Sequence, residues 1–167
     1  EFCKRYPNTR MIDVVNEPFR DAMVKAVAAE PAVAELAASW PDVLGRPRTG
    51  FGKTADEPVQ STVAYRFVSP EYFSVLGIDV LRGRGFTPAE RAAEAAVIVM
   101  SDSAARQLWP RSDAVGQVLH LEPDPNSETR RVDEPSLPVR TFTVVGVVRD
   151  VPGFRIPDFH QATDIYL

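Results

Sequence analysis

The chain has 167 residues, which is enough for one large domain or two small lobes with a buried core. A hydrophobic share of 44% and a charged share of 25% are typical of a globular protein. The formal net charge of −4 argues against nucleic-acid binding and against a basic patch for anionic membranes. Cys3 is the single cysteine, so an intrachain disulfide is excluded, and no apolar run reaches the ~18 residues of a membrane-spanning helix. The chain starts at Glu1 and stops in an apolar run, so we expect a piece excised from a longer protein.

The first third of the chain predicts two strands separated by helical and loop segments. Residues 10–15 are a candidate strand, and residues 17–29 predict a helix because apolar side chains recur at helical spacing. Residues 32–39 predict a second short helix. Residues 40–57 contain several prolines and glycines and predict a loop, after which the alternating residues 62–68 predict a strand. The apolar stripe of the first helix comprises Phe19, Ala22, Met23, Ala26 and Val27.

Residues 69–86, SPEYFSVLGIDVLRGRGF, predict a short capped helix followed by a strand. Ser69 is a candidate N-cap, and Gly77 is suited to the left-handed conformation that ends a helix. Residues 78–81 then predict a strand, and residues 83–85, Gly-Arg-Gly, predict a tight turn.

The next stretch predicts two capped helices on either side of a buried strand. Thr87 and Glu90 have the spacing of a capping box. The continuous apolar run 95–100 predicts the strand, and Ser101 is a candidate N-cap for a helix over residues 102–109.

The last part of the chain predicts two strands joined by a long insertion. Residues 115–116 predict a turn, and residues 117–122 and 140–149 predict the strands. Gly146 lies in the middle of the second strand and predicts a β-bulge or a close approach of another backbone. Residues 123–139 are rich in proline and charge and predict an exposed insertion.

The chemistry-bearing residues form no recognisable catalytic or metal-binding motif. His120 and His160 are far apart in sequence, and neither has the ligand set of a metal site. We expect His120 at a half-exposed position of its strand. The short glycine motifs match neither a phosphate-binding loop nor a dinucleotide fingerprint. Arg84, between two glycines, is better suited to anchor a carboxylate with two hydrogen bonds than to bind a ligand. We therefore expect no catalytic residue, no metal and no cofactor.

Four sequence segments, in the same order, resemble the extracytoplasmic core domain of MacB-type ABC transporter permeases, within the FtsX-like permease superfamily. They read SPEYFSVLGIDVLRGRGF, AAVIVMSDSAARQLWP, AVGQVLHLEPD and FTVVGVVRDV, and together they cover about half of the chain. The insertion at residues 123–139 is longer than in many members of that family. The matching positions include Ser69, Pro70, Tyr72, Phe73, Leu76, Gly77, Ile78, Gly83, Arg84, Phe86, Ser101, Ala105, Trp109, Pro110, Gly116, Leu119, Val144, Val145, Gly146, Val147 and Asp150.

The resemblance implies an α+β fold with two lobes. A porter-like lobe built from β-α-β units would comprise residues 1–85 plus 152–167. A β-rich lobe, inserted into it, would comprise residues 86–151. The resemblance and the glycine pattern together suggest a set of structural residues at the lobe junction and its turns, namely Gly77, Gly83, Arg84, Gly85, Phe86, Gly116 and Gly146.

The resemblance also implies a place and a role. Such a domain lies on the periplasmic side of the cell inner membrane, between transmembrane helices of the permease. ATP is hydrolysed on a separate ABC ATPase subunit, and the permease couples that hydrolysis to efflux or to substrate extraction. The implied partners are the ATPase, a second permease copy and a periplasmic adaptor protein, with no nucleic acid among them.

Two other classes of function stay open at this point. A stand-alone small-molecule or peptide-binding module would use a cleft between the lobes, with Arg84 or Tyr65 on its wall. A hydrolase would use Ser101, His160 and Asp150.

Overall fold

The structure is a computed structural model, and it describes residues 17–40, 48–52, 61–123, 140–151 and 164–167. The candidate strand at residues 10–15, residues 124–139 of the insertion, and His160 lie outside the described residues.

The described residues form helices and strands in an α+β arrangement. The helices are α1 (Glu17–Ala28), α2 (Tyr72–Val75), α3 (Pro88–Ala92) and α4 (Asp102–Leu108). The strands are β1 (Ser39–Trp40), β2 (Arg48–Gly52), β3 (Ser61–Val68), β4 (Val80–Gly83), β5 (Val97–Ser101), β6 (Val118–Pro123), β7 (Thr141–Val148) and β8 (Asp164–Tyr166).

Six of the described strands close into a ring, in which each strand has a hydrogen-bonded neighbour on both edges. The order around the ring is β3-β2-β6-β7-β5-β8, and β8 returns to pair with β3. The β3–β8 and β7–β5 pairs are parallel, whereas the other four pairs are antiparallel. β1 and β4 lie outside this path, each on the end of one ring strand.

The ring has two halves with the same pattern of pairing, one centred on β3 and the other on β7. Each central strand has eight residues and pairs antiparallel over its first half, with β2 or β6. On the same edge its second half pairs with a short outer strand, β1 or β4. A parallel strand, β8 or β5, occupies the other edge.

The two halves of the ring take their strands from different parts of the chain. β2, β3 and β8 belong to the segments predicted as the porter-like lobe, and β5, β6 and β7 belong to residues 86–151. The halves are joined in one sheet by the β2–β6 and β5–β8 pairs, and β4 of the first segment pairs with β7 of the second. The division into two lobes stays a prediction.

Apolar side chains form two cores on opposite faces of this sheet, because side chains alternate between the faces of a strand. The first, the inner core, is covered at one end by α4 and is built around Val63, Tyr65, Phe67, Ile98, Met100, Leu119, Leu121, Phe142, Val144 and Ile165. The second, the outer core, lies under α2 and comprises Val68, Phe73, Val99, Val148 and Tyr166, with Tyr72, Ile78, Phe86 and Val145 packed against it.

Three of the predicted local features are confirmed. Helix α1 covers nearly the whole of the predicted segment. Thr87 and Glu90 form both hydrogen bonds of the capping box at the start of α3. Ser101 caps α4, and its hydroxyl accepts a hydrogen bond from the backbone N–H of Ala104.

The helix predicted at residues 32–39 is absent, because backbone groups of this segment bond elsewhere. Val33 N–H donates to the carbonyl of Glu30 in a turn, and a helix this short gains little stability on its own. The segment ends in β1, which pairs with the end of β3. The prediction of a loop over residues 40–57 is likewise wrong in part, because β2 lies there with β3 on one edge and β6 on the other. Backbone pairing on both edges holds its glycines in a strand, which no local signal revealed.

The region after β3 differs from its prediction in the cap and in the position of the strand. Ser69 is not the N-cap of α2, since Glu71 occupies that position without a side-chain hydrogen bond. The hydroxyl of Ser69 instead accepts a hydrogen bond from Ala38 N–H, which attaches the segment before β1. β4 begins two residues later than predicted because Ile78 N–H donates to the carbonyl of Phe73 and closes the end of α2.

Helix α1 exposes the described part of its apolar stripe. Met23 is 54% exposed and Val27 is 38% exposed. In the part of the chain that the structure describes, no helix combines the length and hydrophobicity needed to cross a membrane.

Candidate functional site

The strongest candidate site is the contact between the end of β4 and the second half of β7. Gly83, the last residue of β4, lies opposite Gly146 of β7. The next residue, Arg84, donates its backbone N–H to the carbonyl of Val145 at 3.0 Å. We call residues 83–86 together with Gly146 the junction, because it joins strands from the two predicted lobes.

Two glycines let the backbones at the junction touch. A Cβ on Gly146 would lie 2.9 Å from the carbonyl carbon of Arg84 and closer still to its oxygen. A Cβ on Gly83 would lie 3.0 Å from the Cα of Gly146 and closer still to the carbonyl oxygen of Val145. Gly83 also has a φ of +68°, which side chains disfavour. Both positions therefore require glycine.

The predicted irregularity at Gly146 is confirmed in both of its forms. The register between β5 and β7 shifts between Ile98, opposite Val144, and Val99, opposite Gly146. Val145 is the extra residue, so β7 contains a β-bulge at the point where the backbone of Arg84 approaches. The bulge directs the carbonyl of Val145 to the N–H of Arg84.

The side chain of Arg84 anchors the carboxylate of Glu90 with two hydrogen bonds. Its Nη1 donates to Glu90 Oε2 at 2.8 Å, and its Nη2 donates to Glu90 Oε1 at 2.6 Å. Nη1 also donates to the carbonyl of Gly85 at 3.1 Å. The Arg84 side chain is half exposed, whereas Glu90 is 19% exposed. Bidentate geometry of this kind is the role expected from the sequence, and it fixes the direction in which the chain leaves β4.

Glu90 also belongs to the N-terminal cap of α3. Its Oε2 accepts hydrogen bonds from the backbone N–H and the hydroxyl of Thr87, at 3.0 and 2.8 Å. The hydrogen bonds from Arg84, followed by those from Thr87, hold the pKa of Glu90 at about 2, below its ordinary 4.5. The same contact raises the pKa of Arg84. One carboxylate thus links the junction to the start of a helix.

Phe86 attaches the junction to the outer core. Its ring lies 6.0 Å from the ring of Phe73, measured between centroids. Gly85 also faces Phe73, since a Cβ on Gly85 would lie 3.7 Å from that ring. Phe73 in turn packs edge-on against Tyr166 of β8 at 5.1 Å. The junction therefore contacts β7 directly, and it is linked to β8 of the other half through Phe73.

The remaining two residues of the predicted set, Gly77 and Gly116, lie in turns. Gly77 ends α2 with a φ of +63°, as expected from its place in the sequence. Gly116 has a φ of +85°, and its N–H donates to the carbonyl of Val144. Apart from its chain neighbours, a Cβ at either position would have no atom within 4 Å, so packing does not exclude a side chain there. Glycine is favoured because of the positive φ.

Residues considered for catalysis have structural partners instead. The hydroxyl of Ser101 caps α4, and Asp150 accepts two hydrogen bonds from the N–H and hydroxyl of Ser103. Tyr65, considered for a binding cleft, is buried in the inner core. Among the described residues, no group of three or more histidine, cysteine and acidic side chains is placed to hold a metal ion.

The expectation of a half-exposed His120 is wrong. The residue is only 8% exposed, and its Nδ1 lies 2.9 Å from the hydroxyl of Thr141 on β7. β6 lies between β2 and β7 in the ring, so both edges of the strand are covered. A polar residue on the outer face of β6 is thereby enclosed by its neighbours.

Sequence reasoning missed two partners of the junction. Glu90 was recognised as part of a capping box, and its spacing of six residues from Arg84 gave no separate indication of an ion pair. Val145 takes part in the contact only through its backbone carbonyl, so its residue type could not predict the contact.

The fold and the sequence both match a known family of permease domains. The family model for the MacB-like periplasmic core domain matches residues 5–167, and the chain belongs to this family. The fold is similar to the periplasmic region of MacB from Actinobacillus actinomycetemcomitans, with a TM-score of 0.56 and 16% identity. It is also similar to the extracellular domain of the noncanonic ABC-type transporter YknZ from Gram-positive bacteria, with a TM-score of 0.58 and 14% identity.

These similarities cover most of this chain and part of each solved domain. Both cover 87% of this chain, which spans 53% of the MacB structure and 60% of the YknZ structure. No curated protein matches the chain in sequence. The predictions of an α+β fold and of a MacB-type domain are confirmed.

Proposed function

We propose that this chain is the extracytoplasmic part of an ABC-type permease that couples cytoplasmic ATP hydrolysis to efflux or to substrate extraction outside the membrane. The match of the MacB-like periplasmic core domain model to residues 5–167 is the observation that carries the proposal. The similarity of the fold to solved extracytoplasmic domains of MacB and YknZ supports it.

The proposal includes a place and a set of partners. The domain would lie on the periplasmic side of the cell inner membrane, attached to the membrane helices of the permease. Through those helices it would act with an ABC ATPase subunit and with a second permease copy, and a periplasmic adaptor protein would join them outside the membrane. ATP would be hydrolysed on the separate subunit.

The role we propose for this domain is mechanical. In the described residues, the serine considered for catalysis, Ser101, caps α4, and the carboxylate, Asp150, binds Ser103 of the same helix. The ring of strands supplies a stiff body, and the junction would transmit a displacement from one half of it to the other. Packing this close resists compression and passes strain on to its neighbours.

The place of the domain is tested by cysteine labelling of the full-length permease in cells. Every native cysteine of the full-length permease, Cys3 among them, is first replaced by serine, and a cysteine is then introduced at Val118, which is 45% exposed. We expect a membrane-impermeant maleimide to label Val118→Cys in intact cells with a permeabilised outer membrane. The matched control is Leu119→Cys on the same strand, which is fully buried and stays unlabelled until the protein is denatured. Labelling of Val118→Cys only after the inner membrane is broken would contradict the proposal.

Coupling is tested with the permease and its ATPase in proteoliposomes. We expect replacement of the domain by a flexible linker to abolish ATP-driven transport while ATP hydrolysis continues. Transport that proceeds unchanged without the domain would overturn the proposed role.

A further inference from the structure

The segment formed by residues 79–82, here called the edge segment, contributes little to either core. All four residues of β4 are exposed, including Val80 at 41% and Leu81 at 46%. Its register with β7 is irregular between Val80 and Arg82. A segment with few buried contacts and exposed hydrogen bonds is among the first to open locally.

The position of β4 in the sheet lets the edge segment open without breaking the ring. β4 pairs with β7 off the path of the ring, and β7 keeps β6 and β5 as neighbours when the edge segment leaves. β4 has β7 as its one strand neighbour in the part of the chain that the structure describes.

Both ends of the edge segment are fixed. Before it, Phe73 is buried in the outer core and Ile78 packs against that core. After it, the backbone contacts of Gly83 and Arg84 with β7 hold the junction. Opening is therefore confined to the few residues between these two anchors.

The edge segment forms ion pairs, each with at least one exposed side chain. Arg149 and Asp79 form an ion pair in which the side chains are 67% and 57% exposed. Arg82, 41% exposed, contacts Asp102, 15% exposed, at 3.2 Å and Asp113, 58% exposed, at 3.8 Å. Pairs of this kind contribute little stability and are weakened by salt.

We infer that the edge segment opens from β7 as a unit while the ring and the junction stay closed, and that salt favours the open state. The motion exposes the backbone edge of β7 beside Val147 and Val148. The domain thereby has a segment that can move between two fixed ends. This inference does not depend on the proposed role in a permease.

Two backbone hydrogen bonds, one on each side of β4, supply a matched pair of amides for the test. Arg149 N–H donates to the carbonyl of Asp79, the first residue of the edge segment, at 2.9 Å, and Arg84 N–H donates to the carbonyl of Val145 at 3.0 Å, in the junction. The test is residue-resolved hydrogen–deuterium exchange on the full-length protein. We expect the amide of Arg149 to exchange about tenfold faster than that of Arg84, after correction for intrinsic rates.

Salt and charge variants separate this opening from general loosening. Raising sodium chloride from about 0.05 M to about 0.5 M is expected to speed exchange at Arg149 about threefold and to leave Arg84 unchanged. Asp79→Asn is expected to have the same effect at low salt, and the exchanged pair Asp79→Arg with Arg149→Asp is expected to restore the slow rate at position 149. Equal rates at Arg149 and Arg84, or no response to salt and Asp79→Asn, would overturn the inference.

Discussion

Strands β3 and β7 hold equivalent places in the ring, yet their outer edges are joined to the chain in different ways. Beside β3, the end of the strand binds β1, and the hydroxyl of Ser69 accepts one hydrogen bond from Ala38. Beside β7, two glycines bring the backbones of Arg84 and Gly146 into contact, and an ion pair to Glu90 holds the turn. The two strands therefore share a pairing pattern but differ in packing. The outer edge of β3 is held by a few hydrogen bonds, whereas that of β7 forms the tightly packed junction.

This difference concerns contacts within one predicted lobe and contacts between the two. The β1 contact joins residues of one predicted lobe, whereas the β4 contact joins the two. A backbone-to-backbone contact leaves little room to adjust, because neither side can change rotamer. We expect changes at the junction to affect the whole domain and changes at β1 to stay local.

The largest effect is expected from Gly146→Ala. The added methyl group would overlap the backbone of Arg84, so the bulge or β4 must move, at a cost of about 3 kcal/mol in unfolding free energy. Gly116→Ala is the matched control, since its Cβ meets open space and only the positive φ costs energy, about 1 kcal/mol. Urea denaturation followed by circular dichroism measures both. Equal losses would show that packing at Gly146 is not the cause.

A smaller effect, equal on the two strands, is expected from truncation inside the ring. Val63 of β3 and Val144 of β7 are 0% and 1% exposed in the inner core. Val63→Ala and Val144→Ala should each lower the unfolding free energy by about 2 kcal/mol, from lost burial and the cavity left behind. The same denaturation experiment tests this. A large difference between the two variants would break the equivalence of the strands.

The Arg84–Glu90 pair is expected to contribute about 1 kcal/mol, because Arg84 is half exposed and solvent screens the charges. The folded-state pKa of Glu90, about 2, lies below its ordinary 4.5. The stabilisation is thus present above pH 4.5 and is lost as the pH falls toward 2. Melting temperatures of wild type and Arg84→Ala should converge over that range. Arg106→Ala, which removes a 78% exposed member of another pair, is the control and should have little effect at any pH. A constant gap between wild type and Arg84→Ala at all pH values would contradict the assignment.

The smallest effect is expected from Ser69→Ala, at about 0.5–1 kcal/mol. The change removes the hydroxyl that accepts from Ala38 N–H, in a partly buried place where water can replace it in part. Hydrogen exchange at Ala38 should rise while the amide of Arg84 is unchanged. Faster exchange at both amides would mean that the stability of the junction depends on the attachment of β1.

The sequence determined the elements whose signals are local. The capping box at Thr87, the cap at Ser101 and the left-handed stop at Gly77 involve residues within a few positions of each other. Continuous or alternating apolar residues likewise located β3, β5 and β7. Arg84 was correctly predicted to anchor a carboxylate, since a guanidinium between two glycines is free to turn toward one.

Only the tertiary structure decided which distant backbones meet. The strand β2 and the burial of His120 follow from neighbours on both edges of a strand, and the sequence of one strand does not encode the identity of its neighbours. The hydroxyl of Ser69 accepts a hydrogen bond from Ala38 N–H and does not cap a helix, because β1 pairs with the end of β3. The pairing of β4 with β7 brings Gly146 against Arg84, 62 positions apart (146 − 84), through backbone atoms that every residue type shares. The glycines were visible in the sequence, but their common contact was a product of the fold.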